Sequence, residues 1–123
     1  MSGSIDKVSI VVSEGSLDGV YPALIMASGA RAEGIEANLF FTRSGLEAVS
    51  RKHSEMDGPE VSLAPLVPEF IEMTAESGAG IYGCQGSCVL CGLGRDDLID
   101  EVRDVITVGE FYALAAGGQV IFT

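Results

Sequence analysis

Short apolar runs rich in β-branched and aromatic residues alternate along this chain with segments in which apolar residues recur every three or four positions, and that alternation restricts the fold more than any other feature. Val8-Ser9-Ile10-Val11-Val12, Ala37-Asn38-Leu39-Phe40-Phe41-Thr42, Ile81-Tyr82, Val105-Ile106-Thr107 and Gln119-Val120-Ile121-Phe122-Thr123 read as five strands. A first helix carries Leu17, Val20, Tyr21, Leu24, Ile25 and Ser28 and closes at Gly34. Pro22 asks that this helix begin at about Asp18 or later, so that the proline falls near its first turn. Ser44 to Ser50 reads as a short second helix, Leu66 to Thr74 as a third ending at Gly78, and Gly109 to Ala116 as another, terminated by Gly117-Gly118. Asp96 to Val102 reads as a short acidic helix or turn. The stretch from His53 to Pro65 has no periodicity, and a loop of that length is a lid, an interface or a disordered segment. Strands and helices in this order give a mostly parallel five-stranded sheet covered on both faces, a three-layer α/β/α fold, and 123 residues are the size of one domain.

Ligands of open parallel sheets sit beyond the carboxyl ends of the strands. In this chain the loops there are Ser13-Glu14-Gly15-Ser16, Thr42-Arg43-Ser44-Gly45, Gly83-Cys84-Gln85-Gly86 and Thr107-Val108-Gly109. The third opens Cys84-Gln85-Gly86-Ser87-Cys88-Val89-Leu90-Cys91, which holds all three cysteines of the chain. An odd number crowded on one segment is unlike a secreted disulfide scaffold and fits a reducing compartment. Cys84 ends a strand and starts a helix, which places its sulfur at the positive end of the helix dipole beside the open amides of Gln85 and Gly86, a setting that favours a nucleophilic thiolate. The alternative is an inert buried thiol. Cys88 and Cys91 follow at spacings of four and three, which lets them share a helical face with Cys84. They resolve a Cys84 adduct or form a disulfide, or join Cys84 around zinc or an iron-sulfur cluster, or only pack, and the sequence leaves these three readings open. A metal wants a fourth ligand, and His53 is the only histidine. The C-x3-C-x2-C spacing coincides with that of radical S-adenosylmethionine enzymes, whose partial barrel is far larger than this chain can build.

Weaker candidates for substrate contact are Ser13, Glu14 and Gly15 in the first loop, Arg43 at the second strand end, where it can draw an anionic sulfur donor such as thiosulfate, and Gln85 and Gly86 beside the thiol. The first loop lacks both the dinucleotide glycine pattern and a P-loop lysine, the acidic run has no calcium-loop pattern, and no cofactor is expected. A formal charge of −11, with no Lys/Arg cluster, argues against nucleic acid. No run is long enough for a membrane span and the first residues lack a signal-peptide pattern, so a cytoplasmic, soluble protein is expected. A hydrophobic content of 47% and a positive mean hydropathy favour a homo-oligomer.

Ser13-Glu14-Gly15-Ser16-Leu17-Asp18, Tyr21-Pro22, Phe40-Phe41-Thr42 with Gly45-Leu46, Pro68-Glu69-Phe70, Ser77-Gly78, Ile81-Tyr82-Gly83-Cys84-Gln85 and Asp97-Leu98-Ile99 together resemble the DsrE/DsrF-like proteins, in particular their small stand-alone branch labelled peroxiredoxin-like. The resemblance spans almost the whole chain, and its most specific parts are the Phe-Phe-Thr strand end and the Tyr-x-Cys-Gln turn. It implies a Rossmann-like α/β/α subunit that assembles into oligomers, with Cys84 carrying a persulfide in sulfur relay between a sulfane-sulfur donor and an acceptor thiol protein, a sulfurtransferase-like role. The branch has methionines where Cys88 and Cys91 stand, so those two are this chain's own additions. Its peroxidase label finds no support in the residues, because the Pro-x-x-x-Thr-x-x-Cys segment of peroxiredoxins does not lead into Cys84.

Overall fold

The structure, a computed structural model, describes residues 5–51 and 66–123. Its elements are β1 (Lys7–Val12), α1 (Leu17–Ala32), β2 (Glu36–Phe41), a 3-10 segment (Arg43–Val49), α2 (Val67–Glu76), β3 (Gly80–Cys84), α3 (Gln85–Cys91), a 3-10 turn (Arg95–Asp97), β4 (Asp104–Ile106), α4 (Val108–Ala115) and β5 (Gln119–Phe122). The strands form one sheet in the order β4-β3-β2-β1-β5, and every pairing within it is parallel. Parallel neighbours cannot be joined by a hairpin, which is why a helical crossover separates each strand from the next.

Period-two alternation assigns each strand residue to a face. Val8, Ile10, Val12, Ala37, Leu39, Phe41 and Ile81 lie in the large core cluster, together with buried residues of α1, α2 and the 3-10 segment and with Cys88 of α3. Tyr21 meets Phe70 edge to face at 5.1 Å and joins α1 to α2 within it. The intervening residues Val11, Phe40, Cys84 and Ile106 form a smaller cluster with Phe111 and Ala115 of α4, where the Phe40 and Phe111 rings stack at 4.5 Å. The second face is therefore covered by α4 alone among the described residues. That helix is well terminated: Thr107 Oγ1 accepts the Glu110 N–H at 3.1 Å, and the Glu110 carboxylate accepts the Thr107 N–H at 2.9 Å. At its other end Lys7 Nζ donates to the carbonyls of Leu114 and Ala116, both at 3.0 Å, and places a cation on the negative end of the helix dipole.

Two local expectations need correction. Helix α1 begins at Leu17, so Pro22 is its sixth residue and lies past the first turn. Asp18, the residue whose carbonyl loses its helical donor to the proline, is exposed together with Pro22 on the solvent side, where that loss is least costly. The second helix is a 3-10 segment that passes close to the end of β1. A Cβ on Gly45 would stand 2.1 Å from the Val12 carbonyl oxygen. The acidic stretch, expected as a short helix or turn, holds the 3-10 turn Arg95–Asp97, in which Asp97 Oδ2 accepts the Gly94 N–H at 2.7 Å, and a further turn at Asp100 and Glu101. The buried Leu98 and Val102 anchor the chain between the 3-10 turn and β4. The loop expected over residues 53–65 lies outside the described residues, and His53 with it.

Replacing Gly45 by alanine forces Val12 and the 3-10 segment apart. We expect a loss of about 2 kcal/mol, typical of overpacking, measured as a lower urea midpoint at unchanged slope.

Candidate functional site

Parallel pairing of β2 with β3 sets Phe41 opposite Gly83, so the next residue of each strand, Thr42 and Cys84, leaves the sheet at the same level. Cys84 is the last residue of β3 and the N-cap of α3, with extended backbone angles of φ −79 and ψ 119. It is 5% exposed. Ser87, in the first turn of α3, is also buried. Its Oγ lies 2.8 Å from Thr42 Oγ1 and accepts the Arg43 N–H at 3.0 Å.

Burial by itself raises the Cys84 pKa, yet the net displacement is downward. The Ser87 hydroxyl and backbone amide, the Thr42 hydroxyl and the Gly86 amide all stabilise the thiolate and together outweigh desolvation. The amides are thus those of Gly86 and Ser87, whereas the sequence pointed to Gln85 and Gly86. Because α3 has only seven residues, these individual donors, more than an extended helix dipole, account for the downward shift. Cys88 behaves in the opposite way. It is 4% exposed within the large core cluster, and burial pushes its thiol up, helped by the negative charges of Cys84 and Cys91 nearby. Cys91 is exposed and lines a cavity of about 300 Å³ together with Arg43, Ser44, Glu47 and Ser50.

Among the described residues, no group of three or more His, Cys, Asp and Glu side chains could hold a metal ion, so Cys84, Cys88 and Cys91 do not converge as a ligand set.

The first-loop candidates divide. Ser13 is occupied, since its Oγ and its N–H both donate to the Thr123 carbonyl, at 2.9 and 3.2 Å. Gly15 serves close packing: its N–H donates to Ser44 Oγ at 3.2 Å, and a Cβ there would stand 2.3 Å from the Ser44 carbonyl oxygen. Ser13, Glu14, Arg43 and Ser44 line a cavity of about 360 Å³. Arg43 borders this cavity and the one that holds Cys91, and its backbone takes the left-handed value φ 55. Gln85 is exposed, as is Gly86 apart from the amide it offers to the thiol.

Thr42 and Ser87 are the neighbours of the thiol that reading for single reactive side chains passed over. Thr42 stands at the strand end next to that of Cys84, and Ser87 one helical turn beyond it, so register and spacing together would have found both.

A buried strand-end thiol whose pKa is lowered by hydroxyls and amides, on an all-parallel α/β/α sheet, defines a small Rossmann-like protein. Residues 4–64 match the DsrE/DsrF/DrsH-like family. The sulfur carrier protein DsrE2 of Allochromatium vinosum is 40% identical over 60 residues, which make up 49% of this chain and 34% of that protein, so the chain spans about a third of that relative's length. Two solved structures share the fold at 18% identity and a TM-score of 0.72. MTH1491 from Methanobacterium thermoautotrophicum, described as a protein of unknown function, aligns with 95% of this chain and 98% of its own. The YchN protein of E. coli aligns with 97% of this chain and 100% of its own. The chain belongs to the DsrE/DsrF-like family. The family match ends before Cys84, whose role therefore rests on the geometry of its own surroundings.

The donor set makes a directional forecast. In alkylation with iodoacetamide followed by mass mapping, Cys84 is expected to react with a midpoint below the usual thiol range and Cys88 with one above it. Ser87→Ala and Thr42→Val each move the Cys84 midpoint upward and lower its rate at neutral pH several-fold. An unchanged Cys84 profile in both variants would remove the hydroxyls from the account.

Proposed function

We propose that this protein carries sulfane sulfur as a persulfide on Cys84, in a sulfurtransferase-like relay between a sulfane donor and an acceptor thiol protein. The observation that carries the reading is the buried thiol whose charge is stabilised by Ser87, Thr42 and the Gly86 and Ser87 amides. With thiosulfate as donor, the Cys84 thiolate attacks the outer sulfur, the sulfur–sulfur bond of thiosulfate breaks, sulfite leaves and a persulfide anion remains. The step is balanced in charge and needs neither general base nor oxidant. Arg43, exposed beside the site, supplies a positive charge for such an anionic donor. The sulfur-carrier role that names the DsrE2 relative agrees with this chemistry.

A second reading, a binding or structural protein whose cysteines only pack, is favoured by the apolar neighbours of Cys84: Val11, Phe40 and Ile106. Intact-mass analysis after treatment with a sulfane donor separates the two. The carrier gains sulfur that Cys84→Ser does not gain, and an unmodified Cys84 in the natively folded protein leaves only the packing reading.

The working form is proposed to be a cytoplasmic homo-oligomer. Val108 and Tyr112 of α4 and Val120 and Phe122 of β5 are exposed apolar residues at 47%, 68%, 45% and 73%, on the two elements that flank the thinly covered face. No helix among the described residues is long and apolar enough to cross a membrane. Light scattering on a sizing column is expected to give a mass above that of one chain, and Phe122→Glu to lower it; a single-chain mass for the unaltered protein would refute the assembly.

A further inference from the structure

Helix α3 turns an uncovered face to solvent directly after the Cys84 thiol. Ser87 and Cys88 are its buried side, whereas Gln85, Gly86, Val89 and Leu90 are exposed, at the spacings of three and four that make one helical face. Val89 and Leu90 are 75% and 89% exposed, and they lie outside α4 and β5, the elements proposed to mediate self-association. Gly86 keeps the end of this face nearest the thiol open: apart from its own helix, nothing among the described residues lies within 4 Å of where its side chain would begin. From Cys84 to Gly94 the chain carries no charged residue, although the whole has a formal charge of −11. The charge stands around this stretch instead. The segments that leave β1, β2 and β4 at the same edge of the sheet, residues 13–18, 42–49 and 107–110, hold the exposed carboxylates Glu14, Asp18, Glu47 and Glu110 against one arginine, Arg43. An uncharged apolar face inside an acidic collar is complementary to a surface with an apolar centre and a basic rim. A second copy of this chain would bring another acidic collar against the first, and like charges repel.

Resting on the reading of Cys84 as a persulfide carrier, we infer that the exposed face of α3 docks the acceptor, a protein whose thiol sits beside apolar side chains within a basic rim. The rim has a second use. Cations near a thiol favour its thiolate, so the charge that fits the collar also readies the acceptor sulfur for attack. In the transfer, the proton of the acceptor thiol passes to the terminal sulfur of the Cys84 persulfide anion, and the acceptor sulfur bonds to that terminal atom. The bond to Cys84 breaks, Cys84 leaves as a thiolate and the acceptor holds the persulfide, with no oxidant or reductant consumed. The atom attacked is one sulfur–sulfur bond, about 2 Å, beyond Cys84 Sγ, so the partner need not reach the buried atom itself.

The test uses protein loaded with a stoichiometric sulfane donor and two synthetic acceptor peptides, each with one cysteine flanked by leucine and phenylalanine, one rimmed by lysines and the other by glutamates. Each rate is normalised to the same peptide's reaction with free cysteine persulfide, which removes the difference in thiol reactivity. We expect the lysine peptide to take sulfur about tenfold faster than the glutamate peptide at low salt, and the difference to shrink as salt rises. Val89→Ser/Leu90→Ser is expected to lower kcat/KM for the lysine peptide about tenfold, while sulfur release to cyanide, which needs no docking, keeps the wild-type rate. Glu14→Gln/Glu47→Gln is expected to narrow the preference between the peptides. Equal rates for the two peptides at low salt overturn the basic-rimmed partner. A wild-type kcat/KM in Val89→Ser/Leu90→Ser removes α3 as the docking face and leaves the Cys84 carrier intact. A lower assembly mass of that variant by light scattering shows the face to be covered by a second copy and overturns the proposal. A wild type that gains no sulfur at Cys84 overturns the carrier reading and the docking together.

Discussion

The pairing of β2 with β3 carries more of this protein than its short length suggests, because it fixes which two residues emerge side by side at the edge where the chemistry sits. Leu39 and Ile81 lie in the large core cluster, Phe40 and Cys84 in the smaller one, so both faces of the pair are committed to burial. A slip of one residue would move each of these side chains to the opposite face, and burial on both sides makes that slip costly. The register in turn puts a hydroxyl from Thr42 beside the sulfur of Cys84. Core packing thereby sets the electrostatics of a residue that is itself part of the core.

The two faces of the sheet are unequal. One is sealed by α1, α2 and the 3-10 segment, and the other has α4 alone among the described residues. That short helix is held by a reciprocal cap at Thr107, by the Phe40–Phe111 stack and by Lys7 at its last carbonyls. An aromatic stack adds on the order of 1 kcal/mol beyond the area it buries. A chain with few basic residues spends one of its two lysines on this clamp, in a context of formal charge −11.

Much of the architecture was legible in the sequence, since β-branched runs and helical periodicity are local signals. All five strands stand where the apolar runs placed them, to within a residue or two, and Gly34 takes the left-handed φ of 75 expected just after a helix end. What escaped were features fixed by contact between distant segments. The close approach of Gly45 to Val12 is one, and no periodicity within residues 43–49 reports it. The site divides in the same way. Cys84 was identifiable from its place at a strand end, whereas Thr42 and Ser87 looked like ordinary turn residues until the register brought them to one sulfur. Ser13 was a plausible ligand from its loop position, but the chain's last residue uses its hydroxyl.

The Ser87 oxygen accepts the Arg43 N–H and lies against Thr42 and Cys84, yet it has a single proton to give. Thr42 likewise has one proton, so the two hydroxyls divide two protons between the sulfur and each other. Because the same oxygen accepts the backbone N–H of Arg43, whose φ is left-handed, the buried thiol and the exposed arginine share one side chain as their common neighbour.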